Sequence, residues 1–246
     1  MLPTSPEATV NPHHTTPRGQ AVIGLLPEFD LSLGGNPIGL SRLPGRIIIL
    51  LALNGEMSRK ALTAGLWPNS DPAHSSKKLS QALWRIRVKT GTAVLRVDGG
   101  QLCLADDVSV DYWAARSLAH NIMNGVSPAT DTDPLVVKLL GTELLRGSHD
   151  DEAVRERERW DRLRGLALEK MAIALLETGQ AAGAAEVASV ATRIDQLAER
   201  PHRILATAHL EQGDTVSARR VYVRYAGLLR RELQAEPSAA FRTLVS

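Results

Sequence analysis

Cysteine is almost absent from this sequence. The single Cys103 among 246 residues can form no internal disulfide and no cysteine zinc cluster, and it reads as a small buried hydrophobe in a strand. Long apolar runs are missing as well. The longest, Ile47 to Leu53, is far short of the roughly 20 residues that a membrane-spanning helix needs. The first nineteen residues hold Pro, Thr and His but no apolar stretch ending in a small-residue cleavage site, so no secretory signal is expected and the chain should stay in the cytoplasm. Catalytic signatures are lacking too: no paired-histidine zinc helix, no nucleophile elbow and no Gly-rich phosphate loop with its Lys and Ser/Thr. His202 and His209 lie two turns apart, too far to share one metal, and His13 and His14 fall in a polar tail. The expectation is a protein without enzyme activity, metal or cofactor.

What is there suits a soluble globular chain of two modest domains: 43% apolar residues, a mean hydropathy near zero, and length enough for two cores. The divisions read as 1–19, 20–108 and 109–246. The first nineteen residues are expected to be disordered, since Pro and polar side chains offer nothing to bury. The net charge of +2 says little about partners, but its distribution does. Between Ser58 and Lys89 stand Arg59, Lys60, Lys77, Lys78, Arg85, Arg87 and Lys89, opposed by Asp71 alone, whereas Asp106 to Asp133 is mostly acidic or neutral.

From Ala21 onward, Ala21 to Leu26, Glu28 to Leu33 and Asn36 to Leu40 read as short antiparallel strands, with a turn at Gly34, Gly35 and Asn36. Arg46 to Leu53 reads as a buried helix stopped at Asn54 and Gly55. Ser58 can cap a second helix that turns Leu62, Leu66 and Trp67 inward and ends at Pro68. Asp71 to Thr90 is predicted to form a third, with Pro72 in its first turn and Gly91 closing it. Its buried stripe is Leu79, Ala82, Leu83 and Ile86. The opposite face displays His74, Lys77, Gln81 and Trp84, flanked by Lys78 and Arg85. It carries no carboxylate after Asp71, whereas a solvated helix normally mixes both signs. Ala93 to Val97, the turn Asp98, Gly99, Gly100, and Gln101 to Ala105 then read as a hairpin.

Sheet, three helices and hairpin in that order make a winged helix, whose third helix enters the DNA major groove while the hairpin reaches flanking backbone or minor groove. Lys and Arg there would neutralise phosphates, and Gln81 and Arg85 have the donor geometry to read adenine and guanine edges. An ordinary basic solvent face is the plainer alternative; for Trp84, packing on the hairpin and contact with a sugar or phosphate stay equally open.

After Asp131 strand signals vanish and the chain reads as all-helical. Asn124 to Pro134 is taken as a loop in the second domain. Asp150 to Glu177 is expected as one long helix, with Glu152, Arg155, Glu156, Arg157, Glu158 and Arg159 on a solvated face. An internal repeat is present: Leu176, Glu177, Gly179, Ala184 and Val187 recur as Leu210, Glu211, Gly213, Ala218 and Val221. The offset, 34 residues, is the tetratricopeptide period, which builds stacked helix pairs that grip other protein chains. The fold class expected is therefore mixed: an α+β winged helix-turn-helix, then an all-α tetratricopeptide-like domain.

The run LPGRIIILLALNGEMSRKALTAGLWPNSDPAHSSKKLSQALWRIR resembles the OmpR-type winged helix of the Streptomyces antibiotic regulatory protein family. ERERWDRLRGLALEKMAIALLETGQ and YVRYAGLLRRELQAEPS resemble that family's bacterial transcriptional activator domain. The resemblance covers Val22 to the C-terminus. It implies an activator that binds direct repeats in double-stranded DNA, often as a pair of protomers. It also implies recruitment of RNA polymerase through sigma factor and other subunits, in control of specialised metabolism. By position, Lys77, Lys78, Gln81, Trp84 and Arg85 fall on the recognition helix and Arg96 on the wing, with His74 and Arg87 as further DNA-contact candidates on the same predicted helix. Two departures stand out: a tryptophan at Trp84 where relatives carry a small residue, and Ser148, His149 and Asp150 where aromatic residues are common. The rival reading is a protein-interaction module whose winged helix packs on a partner protein.

Overall fold

The computed structural model describes residues 20–127, 129–130 and 133–246; the tail expected to be disordered lies outside them. The chain opens with β1 (Ala21–Gly24), β2 (Asp30–Leu33) and β3 (Asn36–Pro37), followed by α1 (Arg42–Asn54), β4 (Met57–Ser58), α2 (Arg59–Leu66) and α3 (Pro72–Thr90). Next come β5 (Leu95–Asp98), β6 (Gln101–Leu104) and β7 (Ser109–Val110). The rest is helical: α4 (Asp111–Met123), α5 (Pro134–Gly141), α6 (Asp151–Glu177), α7 (Ala181–Ile194), α8 (Glu199–Glu211), α9 (Thr215–Leu233) and α10 (Ala239–Leu244).

The first sheet runs β3-β2-β1-β7, antiparallel except that β7 lies parallel to β1 with Ile23 opposite Val110. Sequence reading missed β7, and it drew β1 and β2 too long. Leu25 and Leu26 turn away from the ladder because their N–H groups donate to the Asp111 carboxylate at 2.8 and 3.0 Å. Gly34 and Gly35 both hold positive φ, as a tight hairpin turn requires. The second sheet is β4-β6-β5, the two-residue β4 tying the end of the α1 turn to the hairpin. Cys103 is buried in β6.

Helix α1 begins at Arg42 rather than Arg46, because Pro44 lies in the first turn, where its missing N–H costs nothing. Gly55, at positive φ, ends it with its N–H on Leu51 O. Ser58 caps α2 by accepting from the Ala61 N–H at 3.0 Å. Leu62 and Leu66 are buried beneath it, but Trp67, at the helix end, is half-buried. Asp71 caps α3, accepting from the His74 N–H at 2.9 Å, with Pro72 at the first helical positions.

The sequence reading placed no helix between Val110 and Asn124, yet α4 fills that stretch. Its buried face, Tyr112, Ala115, Ala119 and Ile122, joins a hydrophobic core that runs unbroken from Ile23 and Ile47 through Trp160 to Leu168 and Val187. The charged run on α6 is not wholly solvated. Glu156 is buried and accepts from the Tyr112 hydroxyl at 2.7 Å and from Arg159 at 3.0 Å. Arg157 turns inward to donate to the carbonyls of Leu144, Leu145 and Ser148. Burial and the Glu156 carboxylate together push the Tyr112 hydroxyl pKa upward.

The 34-residue repeat has a direct structural image. Gly179 and Gly213 sit at φ 74° and 76°. Each donates its N–H to the carbonyl three residues back, Leu176 and Leu210, and the following N–H of Gln180 and Asp214 reaches Leu175 and His209. These bonds satisfy carbonyls left free at a helix end. Ala184 and Ala218 are fully buried, where a larger side chain would push neighbouring helices apart. Val187 is buried but Val221 is not fully so, because α9 is the last long helix and meets a small second core of Ala206, Ala218, Tyr225, Leu229 and Phe241.

Candidate nucleic-acid interface

Helix α3 buries Leu79, Ala82, Leu83 and Ile86, the expected stripe. At about 100° per residue, the opposite stripe carries Lys77, Gln81, Trp84, Arg85 and Val88, all exposed. Trp84 is 65% exposed and Val88 63%. The hairpin therefore does not cover Trp84. Val88 was missed in the sequence reading; periodicity alone places it between Trp84 and Arg85 on this face. Its isopropyl group is the kind of surface that meets a thymine methyl.

The remaining predicted residues are placed less uniformly. His74 is exposed in the first turn of α3. Lys78 is half-buried, its ammonium 5.9 Å from the centre of the Trp67 ring. Arg87 is exposed but lies about 120° around the helix from Gln81, off the main stripe and towards the α2 side. On that side Arg59 donates to Ser80 Oγ at 2.8 Å, bringing a further cation from α2 against α3. Lys89 donates to Gly39 O, anchoring the helix end to the loop before α1.

The wing follows directly: Gly99 and Gly100, both at positive φ, turn β5 into β6. Arg96 on β5 is not free to reach outward. It pairs with Asp98 at 3.1 Å and Asp106 at 3.2 Å, and Asp106 above all raises its pKa. The structure thus places Lys77, Gln81, Trp84 and Arg85 on one exposed face of α3, sets Arg87 and the half-buried Lys78 to its sides, and leaves Arg96 apart, paired with Asp98 and Asp106.

Residues 138–246 match the family model of the bacterial transcriptional activator domain. No curated protein sequence matches the chain. Among solved structures, the chain is similar to Mycobacterium tuberculosis EmbR, described in complex with a low affinity phosphopeptide. The two share 17% identity and a TM-score of 0.70, over 92% of this chain and 64% of that one. The chain thus spans just under two thirds of that relative's length, and the likeness is one of fold. It embraces the N-terminal α+β part as well as the helical part. Residues 138–246 are thus similar to a bacterial transcriptional activator domain, and the N-terminal α+β part ahead of them shares its fold with the solved structure.

Proposed function

We propose that this protein is a sequence-specific DNA-binding transcription activator that inserts α3 into the major groove. The observation that carries this reading is the exposed α3 face, where Lys77, Gln81 and Arg85 stand on successive turns with no carboxylate on the helix. Lys77 supplies phosphate neutralisation, and Gln81 and Arg85 present paired donors for base edges. The glycine hairpin beside it serves as the wing. Arg96 contributes to backbone contact only by exchanging its aspartate partners for phosphate, so its share is smaller than that of the α3 residues. The helical domain meets RNA polymerase, including sigma factor, while two protomers occupy direct repeats near a promoter of specialised metabolism in the cytoplasm. Its architecture and resemblance support this reading.

One observation favours a second reading, in which the winged helix packs on a partner protein: Trp84 and Val88 expose apolar surface on the same face. Salt separates the two. Binding of the purified chain to a random-sequence duplex is expected to weaken with a slope of about −0.9 in log affinity against log salt for each phosphate contacted. A duplex affinity that is absent, or flat with salt, would refute the DNA reading in favour of the protein partner.

A further inference from the structure

A groove of about 470 Å³ opens between α6, the end of α7 and the start of α8. Leu166, Ile194 and Pro201 give it an apolar floor, and Leu166 remains 46% exposed there. Its walls are acidic, with Glu158, Asp161, Glu169 and Asp195 set against Arg162. Asp161 is engaged by Arg164 at 2.7 Å, whereas Glu158 and Asp195 meet no cation at ion-pair distance among the described residues. Glu169 is largely withdrawn from water, its side chain 12% exposed, and faces the well-exposed Arg200 at 3.2 Å without an aligned hydrogen bond to Oε2. Burial raises its pKa, against the opposing pull of Arg200.

Gly165 adds an independent observation. It sits inside the 27-residue α6, where glycine costs about 1 kcal/mol relative to alanine. A Cβ at this position would meet nothing within 4 Å, so no neighbour in this chain demands the glycine. The position lines the groove, so a larger side chain there would fill it.

We propose that this groove docks a cationic segment of a partner protein, with an apolar side chain on Leu166 and Ile194 and an Arg or Lys among Glu158, Glu169 and Asp195. From Glu158 to Glu169 the acidic wall runs about 16 Å along α6, the reach of about five residues of extended chain. That length and the alternation of apolar floor with spaced carboxylates fit a peptide better than a compact metabolite. The proposal rests on the helical domain being the part that meets other proteins, and not on the DNA face of α3.

The test is selection of phage-displayed random peptides on the immobilised full chain, followed by affinity measurement. The peptides are measured on the wild type, on the charge-reversed Glu158→Lys/Asp195→Lys variant, and on the plugged Gly165→Leu variant. Circular dichroism and duplex binding verify that each variant is folded. The expected result is enrichment of peptides with Arg or Lys beside an aliphatic or aromatic residue, weakened about tenfold or more by either variant. No enrichment by the folded wild type, acidic peptides, or equal binding to all three proteins would overturn the proposal. So would a wild-type dimer in sedimentation that the charge reversal abolishes, since the occupant would then be a second copy. Loss of duplex binding by the wild type would refute the DNA reading while leaving this result standing.

Discussion

Gln81 and Arg85 stand one turn apart on α3 with their polar ends in solvent, while Lys77 one turn earlier offers a single point charge. Arg85→Ala should relax preference at one base pair, at a cost of about 1–3 kcal/mol against the selected site. Lys77→Ala should weaken all duplexes alike and reduce the salt slope by about 1. Competition binding on single-base variants of a selected site checks both; identical effects from the two substitutions would contradict the assignment. This face was legible because a long amphipathic helix announces its buried stripe, and the exposed stripe follows by rotation. The buried Glu156 was not. A charge at i, i+3 spacing looks the same whether water or another helix lies above it, and its partner Tyr112 is 44 residues away. His202 belongs to the same class. Its Nδ1 lies 2.9 Å from Ala198 O and its ring stacks on Tyr225 at 4.5 Å, and burial lowers its pKa from 6.5, against the opposing pull of the Ala198 carbonyl and Asp195. The folded state therefore prefers the neutral ring. Its stabilising contribution is complete above the unfolded value near 6.5 and is lost as pH falls from there towards the lower folded value. Urea unfolding should show a larger loss of stability on acidification for the wild type than for His202→Phe; equal losses would refute this.

At the scale of elements, the two repeat turns are the most regular feature. Gly179 and Gly213 hold left-handed φ with the same hydrogen bonds, so Gly213→Ala should cost about 1–2 kcal/mol, the penalty an L side chain meets there. Thermal denaturation measures it, and an unchanged midpoint would mean the turn relaxes without cost. The repeat was readable because five residues recur at a fixed offset. Strands β4 and β7 were not, since two residues establish no period. Helix α4 escaped notice because two of its four buried positions are alanines, which contribute little hydrophobic contrast to the periodicity.

Over the whole molecule, the winged-helix part and the helical part share one core and are stitched across it. Trp113 Nε1 donates to Ala52 O at 2.7 Å, satisfying a carbonyl at the end of α1. Arg46 pairs with Asp150 at 2.8 Å. The segment between α5 and α6 is anchored on both sides: Leu145 and Arg146 N–H bond to Leu25 and Pro27 carbonyls at 2.9 and 2.6 Å. Arg157 holds its carbonyls from α6. Leu145, buried yet at φ 47°, is kept in that conformation by these contacts. The chain should accordingly unfold in one calorimetric transition. Arg157→Ala, which strips three carbonyls of their donor, should lower stability by about 1–3 kcal/mol. Two separated transitions in the wild type would show that the parts are energetically independent. None of these long-range bonds has a sequence signature, since each joins residues that neither period nor spacing relates.

Readout of DNA sequence by α3 is tested by selection from a random duplex pool by the wild type and the Lys77→Ala/Gln81→Ala/Arg85→Ala variant, side by side at physiological salt. The expected result is a short repeated motif enriched by the wild type alone, with both proteins equally folded. Failure of the folded wild type to enrich any motif, or the same motif emerging with the variant, would contradict it.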